Sequence, residues 1–143
     1  MKTSKKGIDL IKKYEGCELT SYKCSANKWT IGFGNTYYED GSDVKEGDTI
    51  TKERAEQLLL NLLPKYEATV NKYIKRPLNQ NEFDALVSFC WNCGSSETLF
   101  RLVNAYDDKT VEWWKTHYIK AGGKVLNGLV RRRKEEAELY NLR

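Results

Sequence analysis

Three polar side chains of complementary chemistry crowd one short stretch: Cys24 and Thr30 follow Glu15 by nine and fifteen positions, among Tyr14, Tyr22 and Trp29. A carboxylic acid that keeps its proton can hand it to a departing oxygen, as glycosidic cleavage requires, while a hydroxyl can hold an attacking water. Glu15 falls in the last turn of a helical pattern, where the negative end of the helix dipole and an apolar neighbourhood of Tyr14 and Trp29 both favour the proton-bearing form. Taken alone, a glutamate in such a place is more commonly just solvated, so residue type by itself leaves both roles open. A thiol at position 24, with an ordinary pKa of about 8.5, supplies negative charge at pH 7 only where nearby cations lower that value.

Other chemistry-bearing residues carry weaker signals. Cys90-Trp-Asn-Cys93 has the spacing of a redox pair, but such pairs act at a helix N-terminus and this one ends a helical pattern just before Gly94. Two small buried hydrophobes are the expected role. A small redox or zinc protein built on that pair is a remote alternative, since His117 is the only histidine and a second close Cys pair is missing. Trp113-Trp114 and Tyr37-Tyr38 could stack on sugar rings, although core packing is the commoner fate and is expected for at least one of the tryptophans. Arg131-Arg-Arg133 reads as a solvated helix face on composition alone.

These residues need elements to position them. A helix is expected over 4–15, capped by Ser4 and ended by Gly16, followed by a hairpin over 17–38 whose turn is Ser25-Ala-Asn-Lys28. A polar loop over 39–48 leads to a long helix from Lys52 to about Lys75, which Pro64 should kink or split and which could bridge two lobes. Asn79-Gln-Asn-Glu82 is a capping box, and Phe83, Leu86, Val87 and Cys90 behind it mark the most buried helix. Shorter helices are expected over Leu99 to Ala105 and Val111 to Tyr118. After a break at Ala121-Gly-Gly-Lys124, an amphipathic helix runs to Tyr140. The sum is α+β, with a small sheet segregated from many helices.

Bulk properties bound the partners. A chain of 143 residues with 40% hydrophobic and 12% aromatic residues suits one compact domain. No run approaches the ~18 to 20 apolar residues of a membrane span, and Met1-Lys-Thr-Ser-Lys-Lys-Gly lacks the apolar core of a secretion signal. A soluble, initially cytoplasmic product with four reduced thiols, and without stable membrane insertion, is the expectation. The net charge of +4 suits a polyanion such as a bacterial wall. Nucleic acid is not expected, because Arg131-Arg-Arg-Lys134 runs straight into Glu135-Glu136.

Glu15-Gly16, Tyr22-Lys-Cys24 and Trp29-Thr-Ile-Gly-Phe-Gly34 together resemble the active-site segment of bacteriophage-type lysozymes, glycoside hydrolase family 24, where Glu, Asp and Thr recur at these offsets. The resemblance continues through Gly47-Asp-Thr-Ile-Thr51, Phe83-Asp-Ala-Leu-Val-Ser-Phe89, Asn92-Cys-Gly94 and Gly128-Leu-Val-Arg-Arg-Arg133, in order along nearly the whole chain. It implies a lysozyme-like fold over 1–143, with a β-containing lobe at 15–60, a helical lobe of 1–14 plus 61–143, and a cleft between them. It implies hydrolysis of the β-1,4 bond between N-acetylmuramic acid and N-acetylglucosamine in peptidoglycan glycan strands, with no cofactor and no metal. Glu15 takes the acid role, Thr30 positions water, Asn92 contacts sugar, and an arginine among 131 to 133, Arg132 by choice, pairs with a cleft carboxylate. A monomer held in the host cytoplasm until a separate holin releases it to the wall completes the implied picture. Two positions depart from the pattern: Cys24 replaces the usual aspartate and Asn35 replaces a frequent histidine. The family includes members with cysteine at the first of these, so activity is expected; the alternative is a catalytically impaired lysozyme-like module that only binds walls.

Overall fold

The computed structural model describes residues 1–143 and has the expected α+β architecture. The chain runs α1 (Lys5–Glu15), β1 (Glu18–Lys23), β2 (Trp29–Gly32), α2 (Lys52–Tyr73), α3 (Gln80–Cys93), α4 (Glu97–Asn104), α5 (Thr110–Thr116), β3 (Lys120–Ala121), β4 (Lys124–Val125) and α6 (Asn127–Asn141). The strands form two separate antiparallel pairs, β1 with β2 and β3 with β4.

Helix α3 is the axis of the molecule. Asn79 accepts from the Glu82 amide at 2.8 Å while the Glu82 carboxylate accepts from the Asn79 amide at 2.9 Å, the reciprocal cap expected from sequence. Every residue from Glu82 to Trp91 is buried behind that cap. Helices α1, α2 and α6 pack around α3, and α5 packs on α6. Phe83, Leu86 and Phe89 of α3, Ile11 of α1, Leu58 and Leu59 of α2 and Trp114 of α5 join in one apolar cluster. Burial at roughly 25 cal/mol per Å² of apolar surface makes this cluster the main source of stability.

Three local expectations need correction. Ser4 stands at the N-cap of α1 but makes no side-chain cap. Its hydroxyl donates to the buried Asp84 carboxylate of α3 instead, which also accepts from the Ser4 amide at 3.0 Å. Of the two outcomes expected at Pro64, kink or split, the split does not occur: α2 runs unbroken for 22 residues. Pro64 and Leu60 both face solvent, so the carbonyl that loses its amide partner can turn to water. The stretch at 120–125 is a tiny hairpin rather than a simple break: Gly122 and Gly123 both take positive φ, 59° and 78°, the backbone of a type I′ turn.

The first hairpin and α2 set the position of the cleft. Residues 24–28 turn the chain, with the Cys24 amide donating to the Lys28 carbonyl at 3.0 Å and Asn27 at φ 61°. Strand β2 packs on α2, and α2 packs in turn on α3, so one long helix touches both the hairpin and the helical body.

Candidate active site

Glu15, Cys24, Thr30 and Asn92 line a single cavity of about 400 Å³ between the hairpin and the end of α3. The cavity follows directly from the fold: α1 ends at Glu15, the first hairpin supplies Cys24 from its turn and Thr30 from β2, and α3 ends beside Asn92. Glu15 and Asn92 also line a larger neighbouring cavity of about 860 Å³ against α6, so the two spaces meet at this pair.

The surroundings of Glu15 differ from the apolar pocket expected. Arg132 of α6, only 3% exposed, donates from Nη1 to Glu15 Oε2 at 2.7 Å. Tyr14 turns its hydroxyl to Glu135 at 2.6 Å, and Trp29 lies under the Lys23 ammonium. The reason is tertiary: α6 delivers a buried guanidinium from 117 positions away, which no local window registers. On the other side, a Cβ on Gly34 would lie 2.1 Å from Glu15 Oε1, and Gly34 has φ +81°. Glu15 is therefore held between an arginine fork and a backbone surface that only glycine provides.

Cys24 sits in a nest of donors. Burial pushes its thiol up, but the Thr30 hydroxyl and the backbone around Lys28 and Ala26 outweigh burial and bring it below its ordinary value. Cations were the expected cause, and hydrogen bonds supply the effect instead. The buried Thr30 hydroxyl donates to the Lys28 carbonyl at 3.0 Å, and its one proton can serve either that oxygen or the Cys24 sulfur. Beside them the Tyr22 phenol is pushed up by burial and by the negative charges of Glu15, Cys24 and Glu18.

Asn35 is 4% exposed, lines the same cavity, and leaves Oδ1 without a partner. Its backbone exchanges two hydrogen bonds with Ile31, and Trp91 Nε1 donates to the Phe33 carbonyl at 2.9 Å, tying this loop to α3. Sequence reasoning did not place Tyr66 and Trp91 on the cavity wall. Their rings meet at 4.8 Å, and the Tyr66 hydroxyl lies 2.8 Å from that of Tyr37, which also lines the cavity. Tyr38 turns away to Asp48 at 2.7 Å. Trp114 is fully buried, in line with the core role expected for one of the tryptophans, and Trp113 stacks on His117.

The arginine triplet is not a solvated face, since Arg132 and Arg133 are both buried. Arg133 donates from Nη2 to Asn92 Oδ1 at 2.6 Å and from Nη1 to the Cys93 sulfur. Of the paired cysteines only Cys90 is buried as a small hydrophobe; Cys93 is half-buried and accepts from Arg133. Burial pushes Cys90 up to about 12 and Cys93 up to about 11, the reverse of an activated thiol. No three His, Cys, Asp or Glu side chains gather into a metal-holding group.

The family model described as phage lysozyme matches residues 12–136. The chain is 38% identical to an endolysin of Acyrthosiphon pisum secondary endosymbiont phage 1, with 98% of each chain covered. It is 41% identical to an endolysin of Lactococcus phage c2 over 99% of its own length but 61% of that longer relative. Among solved structures, an endolysin from Escherichia coli O157:H7 phage FAHEc1 superposes with a TM-score of 0.82 at 43% identity, covering 98% of this chain and 93% of that one.

Proposed function

The chain belongs to the phage lysozyme family, and on that premise we propose a division of labour among the residues of its cleft. The protein is a glycoside hydrolase, a muramidase that cleaves the glycan of peptidoglycan. Glu15 protonates the glycosidic oxygen as the bond to the anomeric carbon breaks. Thr30 holds the attacking water near that carbon. Cys24 offers negative charge to the oxocarbenium-like state and, as thiolate, can take the proton the water gives up. Asn92 contacts the sugar from the α3 wall, while Arg132 fixes the Glu15 carboxyl.

The observation that carries these roles is the meeting of Glu15, Cys24 and Thr30 in one cavity, with Glu15 braced by Arg132. The donor set around Cys24 also speaks against a decayed site, because it favours the charged form that an aspartate would offer. The substrate is the glycan strand, and one chain contributes every residue assigned, so a monomer suffices. No helix is long and apolar enough to cross a membrane, and the substrate lies beyond one. Release to the wall through a separate holin is part of the proposal. The test is the appearance of new reducing ends from purified sacculi with wild type, Glu15→Gln and Thr30→Val. Release by wild type and loss in both variants supports the assignment; binding to sacculi without release contradicts it.

A further inference from the structure

Glu136 of α6 is fully buried, and nothing in the catalytic assignment uses it. Its Oε2 accepts from Ser88 Oγ at 2.5 Å, Arg132 Nε at 3.2 Å and Arg133 Nη2 at 3.3 Å, and its Oε1 accepts from Trp114 Nε1 at 3.1 Å. Arg133 Nε lies 3.0 Å from Oε1 as a charge contact without hydrogen-bonding aim. One carboxylate thus sits between two buried guanidiniums. Each guanidinium spends its far end on a different wall of the cleft: Arg132 on Glu15 at 2.7 Å, Arg133 on Asn92 at 2.6 Å.

We propose that Glu136 is a positioning residue for the muramidase reaction, setting Glu15 and Asn92 at a fixed spacing through Arg132 and Arg133. The proposal rests on the roles given above to Glu15 and Asn92. Two adjacent guanidiniums buried without a shared anion would repel and separate, and each would carry its cleft partner with it. Arg133 accepts nothing, so its fork also dictates the Asn92 amide: with Oδ1 engaged, the amide NH2 is the group left to meet a sugar oxygen. Ser88 closes the arrangement from α3, since Arg132 Nη2 donates to its carbonyl at 3.2 Å while its hydroxyl faces Glu136.

The experiment compares Glu136→Gln, which keeps shape and removes charge, with Glu136→Asp, which keeps charge and withdraws it by one methylene. Steady-state hydrolysis of a soluble glycan strand is followed, with far-ultraviolet circular dichroism to establish the folded fraction. In Glu136→Gln, kcat per folded molecule should fall about 10- to 100-fold. KM should rise as the Asn92 amide loses its fixed orientation. In Glu136→Asp, which keeps the shared anion, kcat should fall less than in Glu136→Gln. Wild-type kcat and KM in a folded Glu136→Gln protein, whatever its melting temperature, overturns the proposal. If Glu136→Gln does not fold, wild-type kcat in Glu136→Asp overturns it. Absence of hydrolysis by the wild type instead refutes the muramidase roles, a result separable from either.

Discussion

Gly34 presses its backbone against the Glu15 carboxyl so closely that a methyl group there would stand 2.1 Å from Oε1. Opposite it, Arg132 Nη1 grips Oε2 at 2.7 Å. The carboxyl is clasped on both oxygens, and each side of the clasp can be removed separately.

Gly34→Ala forces the carboxyl aside and places a Cβ at φ +81°. Activity should fall by about 100-fold, since a displacement near 1 Å is enough for that. Stability should fall by only about 1 to 2 kcal/mol, the cost of a left-handed non-glycine residue. Reducing-end release read beside a urea titration checks both; wild-type activity in the alanine variant would mean that the carboxyl position is not critical.

Arg132→Met leaves Glu15 without its charged partner and Glu136 with one guanidinium in place of two. Breaking a buried ionic network from one side should cost about 3 to 5 kcal/mol, read as a lower denaturation midpoint. Arg132→Lys keeps charge but cannot fork to Glu15, Glu136 and Ser88 together, so kcat should fall about tenfold, roughly 1.4 kcal/mol in barrier, with partial recovery of stability. Equal stability of the methionine and lysine variants would contradict this account.

The four thiols should divide by reactivity. Cys17 is exposed and Cys24 is activated by its donors, whereas burial pushes Cys90 and Cys93 up. Two thiols should react quickly with a small alkylating reagent at pH 8 and two only after unfolding. The Cys24 rate should rise with pH about a midpoint below that of an ordinary thiol and drop back toward it in Thr30→Val. Cys24→Asp should keep or raise activity; its loss would remove Cys24 from the charge-stabilising role.

Glu39 and Arg54 form a bidentate pair at 2.7 and 2.6 Å beside the loop that leads to α2. The Arg54 hydrogen bonds are the largest influence on Glu39, and they hold it down at about 2. A depressed carboxylate adds stability that is complete above its unfolded value, near 4.5, and is lost as pH falls through about 2. Because the pair is solvent-facing, the gain is at most about 1 kcal/mol after screening. Melting of Glu39→Gln against wild type should show a gap at pH 6 that closes by pH 2 and narrows in high salt. A gap that widens on acidification would reverse the sign and refute the pairing.

Much of the frame was legible because its signals are local. Asn79 and Glu82 announce the start of α3, and the apolar spacing behind them announces its burial. The first hairpin is equally plain from its β-prone runs and polar turn. The convergence of Glu15, Cys24 and Thr30 was reached through family resemblance, since spacing alone leaves a solvated glutamate equally open. What escaped is long-range and polar. Arg133 and Glu136 sit in a charged run that reads as a wet helix face, and the packing of α6 on α3 and α5 buries them. Ser4 looks like a cap and serves Asp84 across 80 positions. Tyr66 reads as one more apolar-face residue of α2, and its hydroxyl at the cleft follows from a partner on another element.

The role proposed for Glu15 is to donate the proton that frees the leaving sugar. Glu15→Gln preserves size and can still hydrogen-bond Arg132 but holds no acidic proton. With folding matched by circular dichroism, its release of reducing ends from purified sacculi should drop about 100- to 10,000-fold below wild type, the loss expected when acid catalysis is removed. Digestion by the glutamine variant within tenfold of the wild-type rate would remove Glu15 from the acid role.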